Sequence, residues 1–257
     1  MFYPAVTSVS FRKNTPKEII EAVREAGLTA IEWGSDVHVQ PGDLTFAADI
    51  RKQTEAAGLT VCSYGTYYKL GNHENPAKEF ADILATAEVL GASVIRIWGD
   101  GEGSANISAA RRQCLTEEAL CLSRMAAERN IVISLECHHG TITDRYESAV
   151  EFLTRVHAPY FLTYWQPNQF ESDTYNQEAA AALAPFTTNL HIFSWDAENR
   201  YPLAHGKDIW EKYLEPFRKQ DRDFALILEF MPDDRIETLA REAATLKSWL
   251  SALPALH

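Results

Sequence analysis

Residues 75–98 read NPAKEFADILATAEVLGASVIRIW, and the order of features in this stretch decides the fold. Asn75 and Pro76 open a helical pattern, with proline in the first turn, where its missing N–H leaves no bond unmade. The pattern ends at Gly91, a residue suited to a helix C-terminus. After Ala92 comes Ser93–Trp98, whose core Val94-Ile95-Arg96-Ile97 is a short β-branched block. Such a block is expected of a strand covered on both faces. The same grammar appears earlier, where Asn14-Thr15-Pro16 opens a helix carrying Ile19, Ile20 and Val23 and stopping near Gly27.

Working outward, the remaining strand candidates are Ala5–Phe11, Thr29–Trp33, Thr60–Tyr64, Val132–Glu136, Phe161–Gln166, Asn189–Phe193 and Ala225–Phe230. Helical patterns separate them, the longest near residues 105–129. Strands alternating with helices imply a parallel sheet of the α/β class. Eight units in 257 residues predict one (β/α)₈ TIM barrel, a single domain over residues 1–257. An open doubly wound sheet would carry a glycine-rich turn after its first strand, and Thr7-Ser8-Val9-Ser10-Phe11-Arg12 contains no glycine.

The net charge of −12 repels phosphodiester backbones, so no nucleic-acid partner is expected. No stretch approaches the roughly 20 apolar residues of a membrane helix, and the amino terminus does not read as a secretory signal. The expected location is cytoplasmic, and Cys62, Cys114, Cys121 and Cys137 read as reduced thiols. A homo-oligomer stays open, since no apolar stripe stands apart from helix–sheet packing.

In a barrel of this kind the chemistry sits at the carboxyl ends of the strands. Four candidate ligands fall there on strands five to eight: Glu136, Gln166, His191 and Glu229. Their nitrogen and oxygen donors suit one divalent ion, Mn²⁺, Mg²⁺, Co²⁺ or Zn²⁺, and lack the thiolates of a structural zinc site. Around them, Glu32, His38, Tyr67, Lys69, Arg96, Trp98, His139, Trp165 and Asn168 are the expected substrate-binding residues. Trp33, Tyr67, Trp98 and Trp165 supply apolar walls, and His38, Lys69, Arg96 and His139 address hydroxyls or a phosphate. Cys137 follows Glu136 in its strand and is expected to face the helices. His157 lies at the other end of the barrel and reads as structural.

With Ile31-Glu32-Trp33 and His38, Leu135-Glu136-Cys137-His138-His139-Gly140-Thr141-Ile142-Thr143-Asp144, His191-Ile192-Phe193-Ser194 and Leu228-Glu229, the chain resembles the sugar phosphate isomerase/epimerase family of xylose-isomerase-like barrels. The resemblance spans essentially the whole chain. It implies one metal held by Glu136, His191 and Glu229; where the family has aspartate on strand six, this chain has Gln166, with Asn168 two residues on. It further implies a metal-dependent isomerase or epimerase of a small keto sugar or sugar phosphate. There, Glu136 and Glu229 move protons next to the carbonyl while the metal stabilises an enediolate. No glycine-rich phosphate loop stands near strands seven and eight, which favours a free sugar. Polyol dehydration by the same site, and a sugar-binding barrel without catalysis, are the alternatives. The net charge and Gln166 argue against an apurinic endonuclease.

Overall fold

The computed structural model describes residues 1–253. The strands are β1 (Phe2–Thr7), β2 (Ala30–Gly34), β3 (Thr60–Lys69), β4 (Val94–Trp98), β5 (Val132–Glu136), β6 (Phe161–Trp165), β7 (Thr187–Ile192) and β8 (Phe224–Leu228). Each pairs in parallel with the next and β8 with β1, closing an eight-stranded barrel. The helices are α1 (Pro16–Glu25), α2 (Leu44–Ala56), α3 (Pro76–Leu90), α4 (Ala109–Ala127), α5 (Tyr146–Val156), α6 (Asp173–Leu183), α7 (Lys207–Arg218) and α8 (Leu239–Ala252). The predicted fold is the observed one. Most strand ends shift slightly, and the largest differences are at β1, which runs from Phe2 to Thr7 with Ser8–Phe11 a 3-10 turn, and at β3, which runs on to Lys69.

The helix ends follow the sequence grammar. Thr15 accepts from the backbone N–H of Glu18, whose carboxylate accepts from the N–H of Thr15, a reciprocal capping box. Gly91 adopts φ 81° at the end of α3, a conformation that costs glycine nothing. His157 closes α5 at φ 43°, as a structural residue.

Inside the barrel the lower filling is small. Ala5, Ala30, Cys62, Ala225 and Ile227 pack around the buried ring of Tyr164. The larger apolar layer lies between barrel and helices and includes Trp33, Ile95, Leu135, Trp165 and Leu226. Period-two alternation explains the division. Ala225, Ile227 and Glu229 share one face of the last strand and its extension, while Leu226 and Leu228 share the other. Among the described residues no helix is long and apolar enough to cross a membrane, and the four cysteines are free thiols.

Three register shifts interrupt the regular pairing, one of them between Gly65 and Lys69 where β3 meets β4. Ile31 and Glu32 face Val61 and Ser63, so Cys62 is an extra residue in β3. The bulge lets Cys62 join the interior filling while Ser63 also turns inward to Glu32. Another shift lies between β6 and β7, where Thr163 and Trp165 face Thr187 and Leu190. The interior has little spare room around Tyr164, so Ala225→Leu should overpack it. The expected cost is about 1–3 kcal/mol, measured as a lower urea midpoint.

Candidate active site

At the carboxyl end of the barrel, Glu136, His191 and Glu229 each point a ligand atom into one buried spot, all within 4.8 Å of one another. His191 Nδ1 lies 2.9 Å from Gln166 Oε1, 3.6 Å from Glu136 Oε1 and 3.5 Å from Glu229 Oε2. One imidazole nitrogen therefore faces an oxygen from each neighbouring candidate, and the four expected ligands are brought together. Their position follows from the pleat: Ser134 and Glu136, Tyr164 and Gln166, and Ile227 and Glu229 are inward pairs two residues apart.

The other imidazole nitrogen, Nε2, lies 3.3 Å from Glu32 Oε1. Glu32 is fully buried and accepts from Ser63 Oγ at 2.9 Å and Tyr164 OH at 2.7 Å. Arg96 Nη1 donates to Glu136 Oε2 at 2.5 Å, and its Nε lies 3.5 Å from Glu32 Oε1. Gly65 in β3 makes room for this pair. A Cβ there would sit 2.8 Å from Arg96 Nη2 and 3.0 Å from Glu32 Oε1.

Burial opposes every charge in this group, and pairing outweighs it at four of the five positions. Arg96 and His191 hold the Glu32 carboxyl far below the usual range. They also hold Glu136 down, at about 2. Glu136 and Glu32 keep the Arg96 guanidinium charged. Glu229, Glu136 and Glu32 push His191 up to about 10. Glu229 is the exception, raised by burial despite His191. The donor chemistry fits a divalent ion. Glu32, Glu136 and Glu229 bring three negative charges, Arg96 returns one, and a dication beside a neutral imidazole balances the remaining two.

Above the floor lies a cavity of about 240 Å³. Tyr67, Arg96, Trp98, Glu136, His139, Gln166, Asn168 and Glu229, all singled out in the sequence, line it. Asn168 borders it chiefly as a brace: its side chain donates to the Asp144 carbonyl and accepts from the Phe170 N–H. Trp165 touches the edge, but its ring faces outward against Trp210, Tyr213 and Phe217 at 5.2–5.9 Å. That corrects its expected place against a sugar face, because Tyr164 and Gln166 take the inward positions. Trp33 is likewise outward, with its indole N–H on Thr54 of α2.

Four further expectations are corrected. His38 is buried away from the cavity, held by Ser8 Oγ and the Asn14 carbonyl. Glu32 lies beneath the floor, out of a ligand's reach. Arg96 addresses Glu136 and Glu32 instead of a hydroxyl or phosphate. Lys69 is exposed outside the cavity, its ammonium 5.9 Å from the Trp98 ring centre. Cys137 does face outward, against Thr163.

The sequence reading missed several cavity residues. His138 stacks on Trp98 at 4.3 Å, and its Nδ1 lies 2.9 Å from the His139 carbonyl. That carbonyl only accepts, so Nδ1 carries the hydrogen and Nε2 is left to exchange a proton. The period-two signal was available, since His138 follows Glu136 by two residues. Arg12 pairs with Asp36 at 2.5 Å and also donates to Tyr67 OH. Trp195 and Phe230 complete the rim, from loops whose course no periodicity reveals.

A profile described as xylose isomerase-like TIM barrel matches residues 20–252. The chain belongs to this family. It is 26% identical over 229 residues to an inosose dehydratase of Klebsiella pneumoniae strain 342, covering 82% of this chain and 70% of the relative. It is 23% identical over 201 residues to a 3-dehydroshikimate dehydratase of Bacillus anthracis, covering 73% and 70%. The crystal structure of a probable 3-DHS dehydratase, AsbF, from Bacillus anthracis superposes with a TM-score of 0.78 at 19% identity, over 96% of this chain and 99% of that one. These relatives are enzymes of the dehydratase class, which the sequence reading had placed second to isomerase or epimerase.

The charge balance gives a pH dependence for the chelator-treated protein. His191 is raised from about 6.5 in the unfolded chain to about 10. Its stabilising contribution is therefore complete below about 6.5 and lost as the pH rises through about 10. Thermal melts should show stability falling across that window, and the His191→Gln variant should lack this component.

Proposed function

We propose that the protein is a metal-dependent dehydratase of a small polyhydroxylated ketone. In the proposed reaction a proton leaves the carbon next to the carbonyl and the hydroxyl one carbon further on departs as water. The observation that carries the reading is His191 Nδ1 facing oxygens of Glu136, Gln166 and Glu229 on the cavity floor. These four residues would hold one divalent ion of the Mn²⁺, Mg²⁺, Co²⁺ or Zn²⁺ kind. When bound, such an ion supplies Lewis-acid stabilisation of the negative charge that develops on the substrate oxygen.

The chain's own groups supply the proton steps. Glu229 takes the proton next to the carbonyl, since among the described residues no arginine pairs with its carboxylate. Glu136 is tied to Arg96 through Oε2, so it serves first as a fixed donor, with its proton role secondary. His138, entering the step with a proton on both ring nitrogens, gives the Nε2 proton to the departing hydroxyl; afterwards Glu229 releases its proton to solvent and His138 takes one up. The carbon–hydrogen pair of electrons becomes the new C=C bond, the C–O bond breaks, and one water is released. The named relatives act on inosose and 3-dehydroshikimate, ketones with ring hydroxyls, and Tyr67, Trp98 and Phe230 offer apolar walls to such a ring.

The test is product analysis by NMR in D₂O, with inosose and 3-dehydroshikimate as probes and Mn²⁺ supplied. Loss of water is expected, and Glu229→Gln should lower kcat by roughly 10²–10⁴-fold without altering the fold. Deuterium gained beside the carbonyl with every hydroxyl retained would establish epimerisation or isomerisation instead. Near-full activity of Glu229→Gln would remove that residue from the mechanism.

A further inference from the structure

Glu32 is absent from the cavity lining, yet four polar groups converge on it. Ser63 Oγ and Tyr164 OH donate to Oε2 at 2.9 and 2.7 Å, while Oε1 lies 3.3 Å from His191 Nε2 and 3.5 Å from Arg96 Nε. A bulge in β3 turns Ser63 toward it, and Gly65 leaves the space that its carboxylate and Arg96 fill. A buried carboxylate that only balanced Arg96 would not require a bond to the ligand imidazole. The tyrosine and serine fix Oε2, and this fixes where Oε1 can stand.

We propose that Glu32 is a positioning residue that acts on the metal ion through His191. Its carboxylate accepts from Nε2–H, which fixes the tautomer with the Nδ1 lone pair toward Glu136, Gln166 and Glu229, and it makes that nitrogen a stronger donor. A carboxylate behind a ligand histidine commonly raises metal affinity about 10–100-fold. Gln166 brings no charge to the ligand set, so Glu32 supplies from behind His191 a negative charge that the ligand set lacks. The inference rests on the proposed metal site.

Calorimetric titration of Mn²⁺ into wild type, Glu32→Gln and Tyr164→Phe tests it, each protein first checked for native circular dichroism. Glu32→Gln should bind Mn²⁺ about 10–100-fold more weakly, and Tyr164→Phe, which loosens the carboxylate while keeping it, should fall in between. A purely structural Glu32 would lower stability and leave the Mn²⁺ affinity of the folded protein unchanged. Binding by Glu32→Gln within about twofold of wild type therefore overturns the role. If Glu32→Gln does not fold, wild-type affinity in Tyr164→Phe overturns it. Wild type that takes up no Mn²⁺ overturns the metal site itself and this role with it.

Discussion

Three carboxylates are buried at one end of this barrel, and the arrangement around them follows from the need to offset their mutual repulsion. Ligand oxygens of Glu136 and Glu229 stand within 4.8 Å of each other and of His191. At that separation two unit charges repel by roughly 3–4 kcal/mol at an effective dielectric near 20. Arg96 bridges Glu32 and Glu136, and His191 lies between Glu32 and the other two. No single partner neutralises the group. A buried pair broken on one side leaves an uncompensated charge, which is the costly case. Removing any one of these charges therefore leaves its partners less well compensated.

Some of the scaffold's irregularities lie where this charged group needs them. Regular β pairing would send Ser63 to the helical layer. The bulge at Cys62 keeps it inside, where its hydroxyl meets Glu32. Gly65 adopts ordinary strand geometry, so its role is space and not backbone freedom. Phe230, directly after Glu229, adopts φ 47°, and its N–H is held by Ser10 Oγ. A non-glycine residue in the left-handed region costs of order 1 kcal/mol. Here it turns the chain away immediately after the glutamate and brings the Phe230 ring back to the rim beside Arg12 and Arg200. The strain lies next to the group whose direction matters most.

The fold was legible because punctuation and periodicity are local. Pro16, Pro76 and Gly91 mark helix ends by backbone chemistry alone, and β-branched blocks mark strands covered on both faces. The four ligand candidates were legible for a related reason, since topology alone delivers strand ends to one face. Direction was harder to read. Trp165 and Gln166 are neighbours with opposite orientations, and only Gln166 enters the site. His38 looked exposed in its polar setting, yet Ser8 and Asn14 bury it. Glu32 and Arg96 looked like groups for a ligand because charge in a strand suggests function. Depth along the barrel, which the sequence does not encode locally, puts Glu32 beneath the cavity floor and leaves Arg96 at its edge, paired with Glu136 and Glu32.

The two glutamates of the site are not equivalent, and this bears on the reaction class. Epimerisation at one carbon removes a proton on one face and returns one on the other, which favours two carboxylates of similar freedom. Glu136 has one oxygen committed to Arg96 and the other toward His191, whereas among the described residues Glu229 forms no ion pair with an arginine. Elimination of water needs an unequal pair: a base beside the carbonyl, and an acid one carbon further on at the leaving oxygen. Glu229 and His138 are unequal in this sense, a carboxylate and an imidazole that follow the ends of separate strands. His138 stacks on Trp98, so its ring is held while Nε2 remains able to exchange a proton. In the proposed reaction the clamp that neutralises buried charge would also divide the labour among the acids and bases, and an unequal division suits elimination.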